Sequence, residues 1–375
     1  MNKPLVIEEA TVYAFRIFDI GAEINLTEAT KILEKGKTLH PFGLKRPKRS
    51  ILIAERPLVI ALESWVEKIK NDSFEIQSVC KVWSFGTVSV QLNLKIDRAM
   101  EVSELCDIGY FMENDPGFHE HIVHQVKQLM VILEPATEKQ NLWHQYEDYL
   151  VFEVKKVRDF SGDLLETFRP QEIAALILGE RPRKFANQVV QSIEKNIFQY
   201  TNDDIVIIHW NGALIYDLED ASDIILTIEF ALCSLLELRF YDDLLDSQLK
   251  TLYQSIEIKG PGMFSNPYQE LSNMAAIHYI DISELVDRVG NAFKILGDYY
   301  YATIFRFALQ RFYIGDWRKS VDEKLNHLAE VSRLFQGEVD ERRNQFLSLI
   351  IIIIISIELI PIAIEYLPRL YKFLH

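Results

Sequence analysis

Phe346–Ile364 reads FLSLIIIIIISIELIPIAI, about 19 residues with one charge, Glu358. That is the length an α-helix needs to cross a hydrocarbon core of roughly 30 Å. About fourteen Phe, Leu and Ile residues at roughly 0.5 kcal/mol each outweigh a single carboxylate at about 3 kcal/mol on insertion scales. Pro361 falls late enough only to kink the exit. A helix buried in a soluble core is the other reading, but core helices of this size carry polar positions every few residues. The stretch therefore reads as one C-terminal transmembrane helix, and the rest of the chain as the body it anchors.

Glu358 leaves two placements open. In a deep span it faces a protein partner, because an intramembrane carboxylate avoids lipid. In a shallow span ending near Ser356, Glu358, Glu365, Tyr366, Arg369, Tyr371 and Lys372 occupy the headgroup zone. The positive-inside rule gives no orientation, since Arg342 and Arg343 on one side balance Arg369 and Lys372 on the other. MNKPLVIEEA at the N-terminus lacks the basic and apolar regions of a signal peptide, so the body is expected on the cytoplasmic side of a tail-anchored protein.

Upstream of the span, Val321, Leu325, Leu328, Ser332, Phe335, Val339, Arg342 and Phe346 alternate spacings of four and three. This heptad seam predicts a coiled-coil-like stalk running without a break into the membrane from a start after Gly315, with Asp316 as N-cap. The alternative is that the seam packs on the helical region Leu271–Tyr313.

The body reads as α+β with a mainly helical C-terminal third. A β-prone run over residues 5–26 precedes a short helix capped by Thr27. Strands follow at Ile51–Leu62 and Phe74–Leu94, the latter turning at Gly86. Val88, Val90, Leu92 and Leu94 alternate with polar neighbours, the pattern of a strand with one face on a core. Helices are expected over Met100–Met112 and Gly117–Leu133, a strand over Tyr149–Val157, and a hairpin at Trp210, Asn211 and Gly212 with positive φ supplied by Asn-Gly. From Asp220 the spacing is helical. The expected segments are 1–145 and 146–260 as two α+β units, 261–315 helical, 316–345 the stalk and 346–366 the span.

The chain has 375 residues, 49% of them apolar, and a formal charge of −15. That charge repels nucleic acid and anionic surfaces, which excludes the body as a whole from binding DNA or RNA. The exception is a basic loop over Lys35–Arg49, where Lys45, Arg46, Lys48 and Arg49 are candidates for a phosphate or lipid contact. Cys80, Cys106 and Cys233 stand far apart among apolar residues, so neither a disulfide framework nor a CxxC metal site is indicated.

Catalytic signatures are absent: no phosphate loop, no GxGxxG after a strand, no HExxH, no GxSxG. No cofactor or metal is expected, and the chain reads as non-enzymatic rather than as an enzyme. His119, His121 and His124 beside Glu120 form a histidine cluster without a fourth ligand. A polar stripe of Glu229, Cys233, Glu237 and Tyr241, with Arg239 nearby, lies on one predicted helix. Asp287, Asn291, Lys294 and Asp298, at offsets of 4, 7 and 11, share a face of the next. If the stripes meet, Glu237, Arg239, Asp287, Asn291, Lys294 and Asp298 form a ligand-binding or acid–base site; otherwise they are ion pairs that fix helix register.

DDIVIIHWNGALIYDL, LLELRFYDDLL, DISELVDRVGNAFKILGDYYYATIFRFALQRF and GDWRKSVDEKL, followed by a coil and a terminal span, resemble the "required for meiotic nuclear division" family over Tyr149–Leu367. That is a domain-of-unknown-function group with bacterial members and eukaryotic mitochondrial ones. The resemblance implies a membrane-bound homo-oligomer without established enzymatic activity and brings no catalytic residues. Its animal mitochondrial members support translation near the inner membrane; lacking a presequence, this chain resembles the bacterial type. The expectation is a scaffold on the bacterial cytoplasmic membrane that presents its body to an unknown protein partner.

Overall fold

The computed structural model describes residues 5–36, 41–42, 51–53, 56–158, 167–181, 183–201, 204–217, 220–258, 267–295 and 299–374. They divide into two compact units, residues 1–242 with 284–320 and residues 243–283 with 321–375. The basic loop candidates Lys45, Arg46, Lys48 and Arg49, and Asp298, lie outside the described residues.

The first unit is built on β1 (Val6–Asp19), whose apolar and β-branched residues favour a long strand. A short β2 (Glu23–Ile24) leads into α1 (Leu26–Gly36). Its N-cap is Asn25, whose side chain accepts from the Glu28 amide at 3.0 Å, so the cap lies two residues before the expected Thr27. Then come β3 (Pro41–Phe42), β4 (Ile51–Ile53), β5 (Leu58–Ala61), β6 (Trp65–Ile69), β7 (Asp72–Val82) and β8 (Thr87–Ile96). After β9 (Met100–Glu101) the chain forms α2 (Val102–Asn114) and α3 (Pro116–Leu133). Asp115 ends α2 and caps α3, accepting from Gly117 and Phe118 with Pro116 at the first helical position.

After β10 (Thr137–Glu138), β11 (Tyr146–Val157) returns antiparallel to β1, with Phe15 opposite Tyr149. The strand is followed by α4 (Pro170–Ile177), α5 (Asn187–Glu194), β12 (Ile197–Phe198), β13 (Ile205–Ile208) and β14 (Gly212–Tyr216). The described strands form a sheet in the order β12-β13-β14-β11-β1-β8-β7-β5-β3, in which only β11 and β14 run parallel. The expected break near residue 145 therefore falls inside one sheet, because β11 is bonded to β1 at its centre.

The β13–β14 hairpin turns where the sequence indicates, with the His209 amide donating to the Gly212 carbonyl at 3.0 Å. The reason differs from the expected one. Trp210 and Asn211 keep negative φ, and Gly212 already belongs to β14. A Cβ on Gly212 would lie 2.9 Å from the Ile177 carbonyl oxygen and 3.1 Å from that of Leu150, so glycine is needed for close packing rather than for the turn.

Both faces of the sheet are covered. One carries Val12, Ala14 and Phe18 of β1 with Val90, Leu92, Leu150 and Phe152, and packs into one core with α2, α3 and α4. The other carries Phe15, Ile17 and Asp19 with Thr87, Ser89, Gln91 and Lys81. Over it lies α6 (Ser222–Ile258), in which every residue from Ile224 to Leu238 is buried. Ser89 and Gln91, the polar neighbours in the β8 alternation, are therefore buried too.

Beyond α6 the expected continuous helical region breaks up. It consists of α7 (Pro267–Ala292), β15 (Phe293–Ile295), paired with β4, and α8 (Tyr299–Arg311). Tyr313, at φ +52°, separates α8 from α9 (Ile314–Leu374).

The second unit consists of the C-terminal part of α6, the N-terminal part of α7 and α9 from Val321. Val321, Leu325, Leu328 and Phe335 of the heptad seam are buried within this unit. Ser272 and Ser332 exchange hydroxyl-to-carbonyl hydrogen bonds at 3.2 Å, and the Tyr268 ring meets Phe335 at 5.9 Å. At Ser332 and Phe335 the seam thus packs on α7, the alternative to a free coiled coil. From Phe346 to Ile360 the large apolar side chains of α9, apart from Ile350, are 47–63% exposed, and the helix is long and apolar enough to cross a membrane.

Candidate functional site

α6 is apolar around most of its circumference because it is buried on all sides, and its polar stripe meets the polar face of the sheet. Glu229, fully buried, pairs with Lys81, whose ammonium also donates to Gln91 Oε1 at 3.0 Å. Two turns on, Glu237 accepts from the Thr87 hydroxyl. Thr87 lies directly across from Asp19, which accepts from the Gly21 amide at 3.2 Å. Burial raises the Asp19 carboxyl well above its ordinary range, and the nearby Glu237 carboxylate raises it further. Burial likewise raises Glu237, against the hydrogen bonds from Thr87 and Tyr241. With Lys81 engaged by Glu229, burial and the mutual repulsion of the two carboxyls favour a protonated member in the Asp19–Glu237 pair.

A second cluster lies at the elbow between α2 and α3, on the opposite face of the sheet. Arg16, 2% exposed, donates to the Glu113 carbonyl at 2.8 Å and to the Met112 carbonyl at 3.3 Å. It so neutralises the negative end of α2. The half-buried Glu113 carboxyl is pushed up to about 7 by burial and by Asp148, against the pull of Arg16. His119 is lowered by burial and by the same guanidinium, and its ring lies 4.5 Å from that of Tyr146. An acid and an imidazole, both shifted toward their uncharged forms, here share an arginine and an aspartate.

The three clustered histidines point to different neighbours. His119 meets Tyr146, His121 lies tilted against Trp65 with ring centroids 4.6 Å apart, and His124 contacts Gln128 at 3.0 Å. Among the described residues no group of three or more His, Cys, Asp or Glu is placed to hold a metal ion.

The six residues of the two predicted stripes have separate surroundings. Glu237 faces Thr87 beneath α6, whereas Arg239 bonds Glu147 and Gln145 on and beside β11. Asp287, exposed on α7, pairs with Arg318 at 3.5 Å. Asn291 is in the last turn of α7, while Lys294 belongs to β15, its backbone paired with Leu52. The helical offset that put Asp287 and Lys294 on one face therefore does not hold. The sequence reading missed Lys81, Asp19 and Thr87 as partners of the α6 stripe. The available signal was a lysine and an aspartate set in otherwise apolar strands.

The family model described as "Uncharacterized protein MJ0711, N-terminal domain" matches residues 9–223, from β1 to the first turn of α6. A Methanocaldococcus jannaschii protein, described as uncharacterized protein MJ0711, is 25% identical over 182 residues. The match spans 48% of this chain and 54% of that relative, so the chain covers about half of the relative's length. No solved structure matches. With more than half of its length matched by that model, the chain belongs to the MJ0711 N-terminal domain family.

Proposed function

We propose that this protein is a membrane-anchored, non-enzymatic scaffold, held by the C-terminal part of α9 and presenting its α+β unit to a protein partner. One observation carries the reading. α9 continues without a break from a packed helical unit into Phe346–Ile360, where the large apolar side chains apart from Ile350 are about half exposed. An unpaired apolar surface of that extent is unstable in water and suited to lipid. The resemblance of Tyr149–Leu367 to the "required for meiotic nuclear division" family supports the same reading, including a homo-oligomer in the bacterial cytoplasmic membrane with the body on the cytoplasmic side. Deleting Asn344–His375 is expected to release a folded body into the soluble fraction. A truncated chain that still sediments with washed membranes would refute the tail as the sole anchor.

A second reading, a ligand sensor or enzyme, has its best support in the Glu113–His119 cluster, which is half-buried and shared with Arg16 and Asp148. Acid–base sites are built from groups shifted in this way. It predicts a small-molecule-dependent rise in melting temperature that His119→Ala abolishes. An equal response in that variant would remove this reading.

A further inference from the structure

In the second unit, contacts fix the height of each helix along α9. Asp246 of α6 pairs with Lys324 at 2.6 Å, and α6 ends at Ile258, so its last turn is level with the residues just beyond Phe335. α7 runs the opposite way, with Ser272 at Ser332 and Tyr268 at Phe335. Both helices of this hairpin thus end beside the turns Phe335–Arg342, after which α9 continues alone into the apolar run.

At that end the Arg342 guanidinium lies 4.7 Å over the Tyr268 ring. Arg343 pairs with Asp340 at 3.4 Å, and Glu341 accepts from Gln345 at 3.3 Å. No carboxylate among the described residues pairs with Arg342. Phe346 is four positions further on, about 6 Å along a helix. The headgroup layer on each side of the hydrocarbon is of similar thickness. A guanidinium stacked on an aromatic ring keeps its donor edge available and matches a phosphate bidentately, and tyrosine favours this depth.

We propose that Tyr268 and Arg342 bind the phosphate of an anionic phospholipid headgroup and thereby set the depth at which α9 enters the bilayer; this rests on the membrane reading above. The far end of the helix agrees with that depth. α9 is helical to Leu374, and Arg342 to Arg369 spans about 40 Å, the headgroup-to-headgroup thickness of a bilayer. Glu358 then lies about 18 Å below Phe346, past the midplane and inside the hydrocarbon. The contact selects the deep placement over the shallow one.

The test uses the full chain reconstituted in phosphatidylcholine vesicles with and without phosphatidylglycerol. The native Cys80, Cys106 and Cys233 are buried. Single substitutions Glu341→Cys, Gln345→Cys, Leu349→Cys and Ile353→Cys are probed with a membrane-impermeant maleimide after flotation. Glu341→Cys is expected to react while Leu349→Cys and Ile353→Cys are shielded, with a sharper boundary when phosphatidylglycerol is present. Arg342→Gln, which leaves Tyr268 packed on Phe335, is expected to shift the boundary by about one turn and remove the lipid dependence; Arg342→Lys is expected to retain part of it. Failure to float overturns the membrane reading itself. Flotation with a boundary indifferent to phosphatidylglycerol in the native sequence, or unmoved in Arg342→Gln, overturns the headgroup contact alone.

Discussion

Glu113 is an acid whose surroundings favour its neutral form: burial first, then the Asp148 charge, opposed by Arg16. With its carboxyl raised to about 7, the folded state binds more protons than the unfolded state above the ordinary carboxylate range. This group's contribution is therefore unperturbed at low pH and becomes destabilising as pH rises through about 7. Glu113→Gln is expected to melt higher than the native protein at pH 8 by about 1 kcal/mol, after allowing for solvent screening, and to show no advantage at pH 4.5. Thermal unfolding of both proteins across that range checks the sign. Gly86, at φ +100°, is constrained differently, since an added Cβ would lie 1.8 Å from the Gly21 carbonyl oxygen. Gly86→Ala is expected to cost about 3–5 kcal/mol in denaturant unfolding, because backbone rather than side chain must move. That glycine was legible as a turn from its place between two strands. Asn211–Gly212 was misread because the Asn-Gly signal for positive φ is the same whether the glycine serves a turn or, as here, close contact with α4 and β11.

At the scale of elements, α6 shows why a single sequence underdetermines burial. Glu229, Cys233, Glu237 and Tyr241 repeat at helical spacing, which marks a polar stripe without naming its partner, and all are buried because the sheet presents Lys81, Thr87 and Gln91 to them. Polar periodicity reports that a helix has two chemistries, not which of them faces water. Strand alternation has the same limit, since the β8 pattern identifies one core face and leaves open that Ser89 and Gln91 on the other are buried as well. The Lys81–Glu229 pair couples the two elements. Lys81→Met alone leaves a carboxylate uncompensated in the core and is expected to destabilise the protein by about 3–5 kcal/mol. Adding Glu229→Leu is expected to restore most of that loss, since apolar replacements of a buried pair are often neutral. A double-mutant cycle in chemical denaturation reads the coupling; no recovery in the double variant would mean that the hydrogen bonds to Gln91 and the local packing, rather than charge, dominate. The heptad seam of α9 was legible as a pattern, yet its partner was not, because an intrachain helix and a second copy select the same apolar residues.

For the whole molecule, the apolar stretch of α9 was the clearest feature of the sequence and remains so in the structure, since nothing but composition is needed to recognise it. The body behind it required long-range pairing between residues as distant as Phe15 and Tyr149, which periodicity does not encode. What the proposed anchor holds together turns on Glu358. With Phe346 entering the hydrocarbon, that carboxyl has no headgroup to reach, and a charge-bearing group at such depth is stabilised by a polar neighbour on another helix. Because the heptad seam upstream is occupied by α7, the span is the part of α9 left to meet a second copy. The full chain in a mild detergent is therefore expected to have the mass of an oligomer. Glu358→Leu is expected to shift it toward the monomer while making insertion more favourable by about 3 kcal/mol. The truncated body lacking Asn344–His375 is expected to be monomeric at every concentration tested. An unchanged mass for Glu358→Leu would move the contact off this carboxyl, and an oligomeric truncated body would move it out of the membrane altogether, onto the α+β unit or the exposed Met274, Ile277 and Ile280 of α7.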